Sequence, residues 1–126
     1  MFGNKRKLKL SLIDDYIKII TIKNFYNNPL EQYYNVEILK KINKLKELLN
    51  NLSTIYLQIF EKIRLKDESF ILLNHELSLN NKLFESITYE NFSQTVDKTD
   101  NDIHSITNNL SYKLKKLKID KLILLN

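Results

Sequence analysis

Residues 38–87 read ILKKINKLKELLNNLSTIYLQIFEKIRLKDESFILLNHELSLNNKLFESI, and apolar side chains recur along them at alternating steps of four and three. Thirteen of the fifteen positions on this frame are apolar, the exceptions being Lys66 and Asn80. A 3.5-residue period indicates a helix that packs along one seam and predicts a left-handed supercoil against another helix. The seam residues are Ile38, Ile42, Leu45, Leu49, Leu52, Tyr56, Ile59, Ile63, Phe70, Leu73, Leu77, Phe84 and Ile87.

The chain has 126 residues with only one glycine and one proline. Sandwiches, barrels and dinucleotide-binding folds need many tight turns or phosphate-cradling glycines, so these classes are excluded. The sequence therefore predicts an all-α fold, in which a long coiled-coil-forming helix folds back on a second helix. The product is either an αα-hairpin or a small helical bundle.

Residue choice also reflects mutation pressure. Ile and Asn occur 16 times each and Lys 18 times, whereas alanine and cysteine are absent. This bias indicates a coding sequence from a very A/T-rich genome, which weakens arguments from lysine content but does not affect the spacing of the seam. The lack of cysteine excludes disulfides, thiolate zinc sites and cysteine nucleophiles.

Local signals predict where the long helix begins and ends. Asn28 can cap a helix that has Pro29 at its first position, so the helix is predicted from about residue 29. The seam frame favours continuity to about residue 87. A break would fall at residues 66–69, because Lys66 interrupts the seam there.

A second helix is predicted at about 99–124, after a loop at about 88–98. Thr99 is its predicted cap, with Asp102 in the first turn. Its apolar face should pack back on the first helix. That face consists of Ile103, Ile106, Leu110, Leu114, Leu117 and Leu124.

Residues 7–23 fit two structures. Leu8, Leu10 and Leu12 alternate as in a strand, whereas the apolar residues from Leu12 to Ile20 also form a helical stripe. An isolated hairpin is marginally stable, so a helix is favoured over a hairpin. The predicted division is a basic N-terminal segment at 1–28 and a helical coiled-coil domain at 29–126.

The net charge of +5 is concentrated at two segments: residues 1–9 carry +4, residues 113–121 carry +4, and residues 10–112 sum to −3. Such segments are typical of contacts with nucleic acid, acidic lipid or an acidic protein. With two arginines in the chain, nonspecific nucleic-acid contact is favoured over sequence-specific readout. The candidate contacts are Lys5, Arg6, Lys7, Lys9, Lys113, Lys115, Lys116, Lys118 and Lys121.

Residues 113–125 have the pattern of a basic amphipathic helix, which could lie on a membrane or dock its apolar residues into a core or a partner's groove. No run reaches the ~18 apolar residues that a membrane span needs. We therefore expect no span, with peripheral membrane contact left open.

Catalytic and metal-binding patterns are weak. His75 flanks the seam, and Asp100 and His104 lie one helical turn apart, as two metal ligands can, near Asp97 and Asp102. Helix capping accounts for Asp100 and Asp102, and no nucleophile motif or glycine-rich loop accompanies them. We expect no enzyme activity, no catalytic or metal site and no cofactor.

Together these patterns predict a non-enzymatic helical protein–protein interaction subunit, a scaffold, tether or adaptor. It would join a larger assembly, or a second copy, through the heptad seam. One alternative is a peripheral protein that binds nucleic acid or an anionic surface with its basic termini. A further alternative, by analogy of shape alone, is a coiled-coil stalk protein of secretion or flagellar export. An intracellular and cytoplasmic location is expected.

Overall fold

The computed structural model describes residues 2–27, 35–63 and 89–119. In these ranges the chain forms three helices and no strand: α1 (Phe2–Asn27), α2 (Val36–Lys62) and α3 (Tyr89–Lys116). All three helices pack against one another. The all-α prediction is confirmed in its small-bundle form. The left-handed supercoil and the division of the chain at residue 28 stay predictions.

Helix α1 decides the ambiguity at residues 7–23 in favour of a helix. It is 26 residues long. Its buried side chains at 12, 19, 22 and 26 are spaced by seven, three and four residues, which places them on one helical face, and Tyr16 packs against the core between the first two. The β-branched run at 17–22 therefore forms helix, because burying this stripe outweighs a modest strand preference. The buried stripe consists of Leu12, Ile13, Ile19, Ile22, Phe25 and Tyr26.

Helix α2 begins at Val36, so the predicted beginning at residue 29 is wrong for this helix. Asn35 has extended backbone angles, φ −119° and ψ 178°, and its side chain accepts a hydrogen bond from the backbone N–H of Ile38. This is N-cap geometry, which satisfies one of the backbone donors that a helix leaves unpaired at its start. Residues 28–34 lie outside the described ranges.

Helix α2 ends at Lys62, so the continuous helix predicted from the seam frame is also wrong. Ile63 has φ −86° and ψ 6°, and its N–H still bonds to the carbonyl oxygen of Ile59. The apolar spacing continues in the sequence past the end of the helix because it depends only on which side chains are apolar. It carries no information on where the backbone changes direction. The predicted break at 66–69 lies outside the described residues.

Helix α3 begins at Tyr89, which corrects both the loop at 88–98 and the cap at Thr99. Phe92 and Val96 are buried. They lie eleven and seven residues before Ile103 and so extend its apolar stripe towards the N-terminus. Thr99 occupies the same stripe and is 6 % exposed. Its hydroxyl donates to the carbonyl oxygen of Thr95, one turn earlier, as an interior helical threonine does.

Helix α3 ends at Lys116, not near residue 124. The N–H of Lys118 bonds to the carbonyl oxygen of Lys115, and the N–H of Ile119 bonds to that of Leu114. With Lys118 at φ 57°, these bonds form a Schellman motif, which terminates a helix. A single basic amphipathic helix through residues 113–125 is therefore wrong, and residues 120–126 lie outside the described ranges.

The contacts between helices set their directions. Lys41 of α2 pairs with Asp97 of α3, and sixteen residues further along α3 Lys113 meets Asp15, which also binds Tyr56 of α2. Helices α2 and α3 therefore run parallel. Because Tyr26 contacts Thr99 whereas Asp15 contacts Lys113, α1 runs antiparallel to both.

Candidate interaction site at the basic end of the bundle

The described part of the predicted seam lies in the core of the chain itself. Six seam side chains of α2 are buried, and Ile38 and Ile63 are partly buried against them. A partner could reach these six only if the bundle opened. The buried members are Ile42, Leu45, Leu49, Leu52, Tyr56 and Ile59. Five further seam residues lie outside the described ranges, as do the polar positions Lys66 and Asn80. They are Phe70, Leu73, Leu77, Phe84 and Ile87.

The buried surface of α2 is wider than the seam. Ser53, Ile55 and Phe60 are also buried, and Phe60 meets the ring of Tyr16 on α1 edge-on at 5.4 Å. A two-helix seam needs only a narrow stripe, whereas a helix that contacts two neighbours buries a broader arc. The large Tyr56 ring fits this wider bundle.

A polar network joins all three helices near the middle of α1. Oδ2 of Asp15 accepts a hydrogen bond of 2.9 Å from the Tyr56 hydroxyl and one of 2.6 Å from Nζ of Lys113. The Asp15 and Lys113 side chains are only 18 % and 13 % exposed. Lys113 was predicted as a contact for an anionic partner, but its charge is already paired inside the bundle.

The network also holds its tyrosine in the neutral form. Burial, followed by the negative charge of Asp15 and the hydrogen bond to it, raises the pKa of Tyr56 far above its ordinary value. Burial likewise raises the pKa of Tyr16, an effect that its hydrogen bond with Ser53 partly offsets. Both tyrosines therefore act as neutral hydrogen-bonding side chains, Tyr56 inside the core and Tyr16 packed against it.

A second buried hydrogen bond joins α1 to α3. The Tyr26 hydroxyl lies 2.9 Å from Oγ1 of Thr99. Because the single hydroxyl proton of Thr99 goes to the carbonyl oxygen of Thr95, the Tyr26 hydroxyl is the donor. This bond fixes the register of α1 on α3 at the end opposite to the N-terminus of α1.

The antiparallel arrangement brings both basic segments to the same end of the bundle. We call the part beyond the Asp15 network the basic end; it comprises residues 6–14, 57–63 and 114–119. Its described side chains include seven basic and two acidic groups, a net charge of +5. The remaining described side chains, at 15–26, 35–56 and 92–113, carry eight basic and six acidic groups, a net charge of +2. The seven basic residues are Arg6, Lys7, Lys9, Lys62, Lys115, Lys116 and Lys118.

Most predicted anionic contacts therefore lie together. Five are exposed and Lys9 is partly exposed. The Lys116 ammonium lies 5.4 Å from the centre of the Tyr112 ring, within cation–π range. The side chain of Lys5 and the whole of Lys121 fall outside the described part. The five exposed contacts are Arg6, Lys7, Lys115, Lys116 and Lys118. Lys62, which the sequence did not single out, joins them because α2 ends here.

The acidic residues near His104 have separate ion-pair partners. Asp97 pairs with Lys41, Asp102 pairs with Lys18, and Asp100 lies 3.6 Å from the His104 ring. Among the described residues no three histidine or acidic side chains gather in a way that could hold a metal ion. His75 lies outside these ranges.

A small cleft separates α2 from α3 near the opposite end. Its volume is about 230 Å³, and Lys41, Lys44, Asp97 and Asp100 contribute to its lining. Ligand pockets are commonly ~300–1,000 Å³ and largely apolar, so this charged cleft is a weaker candidate than the basic end.

Within the part of the chain that the structure describes, no helix has an apolar stretch long enough to cross a membrane. Comparison of the chain with protein-family models, with curated proteins and with solved structures gives no match.

Proposed function

We propose that this protein is a non-enzymatic helical binding protein, located in the cytoplasm, that uses the basic end of its bundle to contact an anionic partner. One observation carries the proposal: two basic segments, more than 100 residues apart in sequence, meet on one end of a folded domain, with Lys62 of the third helix beside them. Clustered positive charge raises both the association rate and the affinity for polyanions.

The pairing of charges supports this assignment. Several charged groups away from the basic end have ion-pair partners, such as Lys18 with Asp102 and Lys41 with Asp97. At the basic end there are only two acidic side chains, Asp14 and Glu61, and seven basic ones. Excess positive charge there is balanced by solvent ions, which an anionic partner can displace.

Retention on a heparin column tests the proposal. The wild-type chain should bind at low salt and elute as salt rises, because screening shortens the Debye length from about 10 Å at 0.1 M to about 3 Å at 1 M. The variant K115Q/K116Q/K118Q should elute at clearly lower salt. Its matched control is K40Q/K44Q/K98Q, which removes the same charge from exposed positions outside the basic end. An equal decrease in the eluting salt concentration for both variants would show that overall charge, and not the basic end, binds heparin.

A second candidate function is the one that the seam predicts, a subunit that binds another protein or a second copy of itself. It is favoured by three exposed apolar side chains on α2: Val36, Leu39 and Leu57, which are 71 %, 42 % and 51 % exposed. The secretion or flagellar-export stalk hypothesis belongs here, because it too needs an apolar seam. Sedimentation equilibrium tests self-association, which L39E/L57E should abolish. A monomer at all concentrations would contradict the self-associating form of this candidate.

A further inference from the structure

We infer that the anionic partner of the basic end is the surface of a bilayer that contains anionic lipid. This inference rests on the proposed function and names the partner of that site. It follows from the positions of the basic side chains around the end of the bundle and from the exposed side chains of Leu10 and Tyr112 beside them.

The basic side chains come from all three helices. Arg6 and Lys7 belong to α1, Lys62 follows the last buried turn of α2, and Lys115 and Lys116 close α3. Consecutive residues on a helix point about 100° apart, so each adjacent pair spreads over two directions. The charges therefore lie on more than one side of the end. A planar surface facing the end can approach all of them together, whereas a nucleic-acid strand follows one groove or stripe.

Exposed apolar side chains accompany two of the basic pairs. Leu10 is 41 % exposed and lies three and four residues after Lys7 and Arg6, on the same face of α1. Tyr112 is 60 % exposed and lies three and four residues before Lys115 and Lys116, on the same face of α3.

The boundary between headgroups and acyl chains accepts this mixture, because basic side chains reach the headgroups while apolar bodies and tyrosine rings enter the interface. A phosphate backbone would use the lysines but gain little from Leu10. These features favour lipid over nucleic acid.

The test is co-sedimentation of the full chain with two kinds of vesicle, phosphatidylcholine alone and phosphatidylcholine mixed with phosphatidylserine. The chain should bind the mixed vesicles, bind phosphatidylcholine much more weakly, and dissociate at high salt. Each Lys or Arg near an anionic surface contributes about a five-fold gain in partitioning. K115Q/K116Q/K118Q removes three such charges and should lower partitioning about a hundred-fold, and R6Q/K7Q should lower it about twenty-five-fold, because both helices face the membrane. K40Q/K44Q/K98Q should match the wild type.

Further outcomes separate the two levels of the proposal. If heparin retains the chain but mixed vesicles do not, the proposed function stands and the bilayer inference is overturned. If the chain binds an oligonucleotide but no vesicles, and the basic-end variants abolish the oligonucleotide binding, the partner is nucleic acid. If neither heparin nor vesicles bind, the proposed function fails as well. L10Q, a surface change, should weaken vesicle binding without changing heparin elution. An unchanged vesicle affinity would contradict the claim that Leu10 enters the bilayer interface.

Discussion

Nζ of Lys113 lies 2.6 Å from Oδ2 of Asp15 and so joins the first helix to a residue 98 positions later in the chain. This pair marks the boundary of the basic end. On one side of it several charged groups have ion-pair partners within the bundle, and Lys113 itself is one of them. On the other side basic residues from three helices face solvent.

Breaking this pair should destabilise the fold. Lys113→Met leaves the Asp15 carboxylate largely buried without its cation, and the expected loss in the free energy of unfolding is about 2–4 kcal/mol. Urea unfolding followed by circular dichroism measures it. In the matched variant, Asp15→Leu, Tyr56→Phe and Lys113→Met together replace the network by apolar groups, which should restore most of the stability. A single variant as stable as the wild type would mean that the pair is not formed.

The raised pKa of Tyr56 predicts a stability loss at alkaline pH. The unfolded tyrosine ionises near pH 10, whereas the folded one stays neutral, so its stabilising effect is complete below about pH 10 and declines as pH rises further. Above that pH this one group should cost up to about 1.4 kcal/mol per pH unit. Urea midpoints compared between wild type and Tyr56→Phe from neutral to alkaline pH measure the difference. Tyr112→Phe, at an exposed site, is the control. Parallel curves for wild type and Tyr56→Phe would contradict the buried Tyr56–Asp15 contact.

Thr99 distinguishes a helix interior from a helix start. An N-cap position accepts aspartate as well as threonine, so at a cap Thr99→Asp would be close to neutral. At its buried position against Tyr26, the same change introduces a carboxylate into the core and should cost about 3 kcal/mol or more. Thr99→Val, which keeps the shape and removes the hydroxyl, should cost about 1–2 kcal/mol. Thermal unfolding measures both, and a neutral Thr99→Asp would restore the cap interpretation.

The end of α3 offers a stabilising substitution. Lys118 adopts φ 57°, a left-handed conformation that costs a residue with a Cβ about 1 kcal/mol and costs glycine almost nothing. Lys118→Gly should therefore stabilise the chain by about 0.5–1 kcal/mol. Lys115→Gly, inside the helix, should instead destabilise it by up to about 1 kcal/mol. If both glycines destabilise to the same extent, α3 continues past residue 116.

The core of α2 could be predicted from sequence because burial follows the spacing of apolar residues. That spacing alone predicts the six buried seam residues from Ile42 to Ile59. In α1 the predicted helical stripe shares Leu12, Ile13 and Ile19 with the buried face, although the alternation at residues 8–12 also fits a strand. The starts of α2 and α3 could not be predicted in this way. A capping side chain contributes about 0.5–2 kcal/mol, whereas burying Phe92 and Val96 contributes about 1.5–3 kcal/mol each. The apolar stripe that begins at Phe92 was the signal that could have placed the start of α3.

The candidate site could not be predicted from the sequence, because it depends on how the helices pack. Sequence identified two basic segments, but their meeting depends on α1 running antiparallel to α3, which no local pattern encodes. The loss of Lys113 from the site has the same origin, because its partner Asp15 lies on another helix. The contribution of Lys62 follows from where α2 ends, which the unbroken seam frame concealed.

The direction of α1 is tested most directly by a pair of distances. The chain lacks cysteine, so spin labels can be attached at introduced cysteines alone. Lys7→Cys with Lys116→Cys places both labels at exposed positions of the basic end, and Lys7→Cys with Lys98→Cys moves the second label eighteen residues back along α3. At 1.5 Å per residue, the pulsed electron paramagnetic resonance distance for the 7–98 pair should exceed that for the 7–116 pair by roughly 20 Å. A shorter distance for the 7–98 pair would mean that α1 runs parallel to α3 and that no basic end exists.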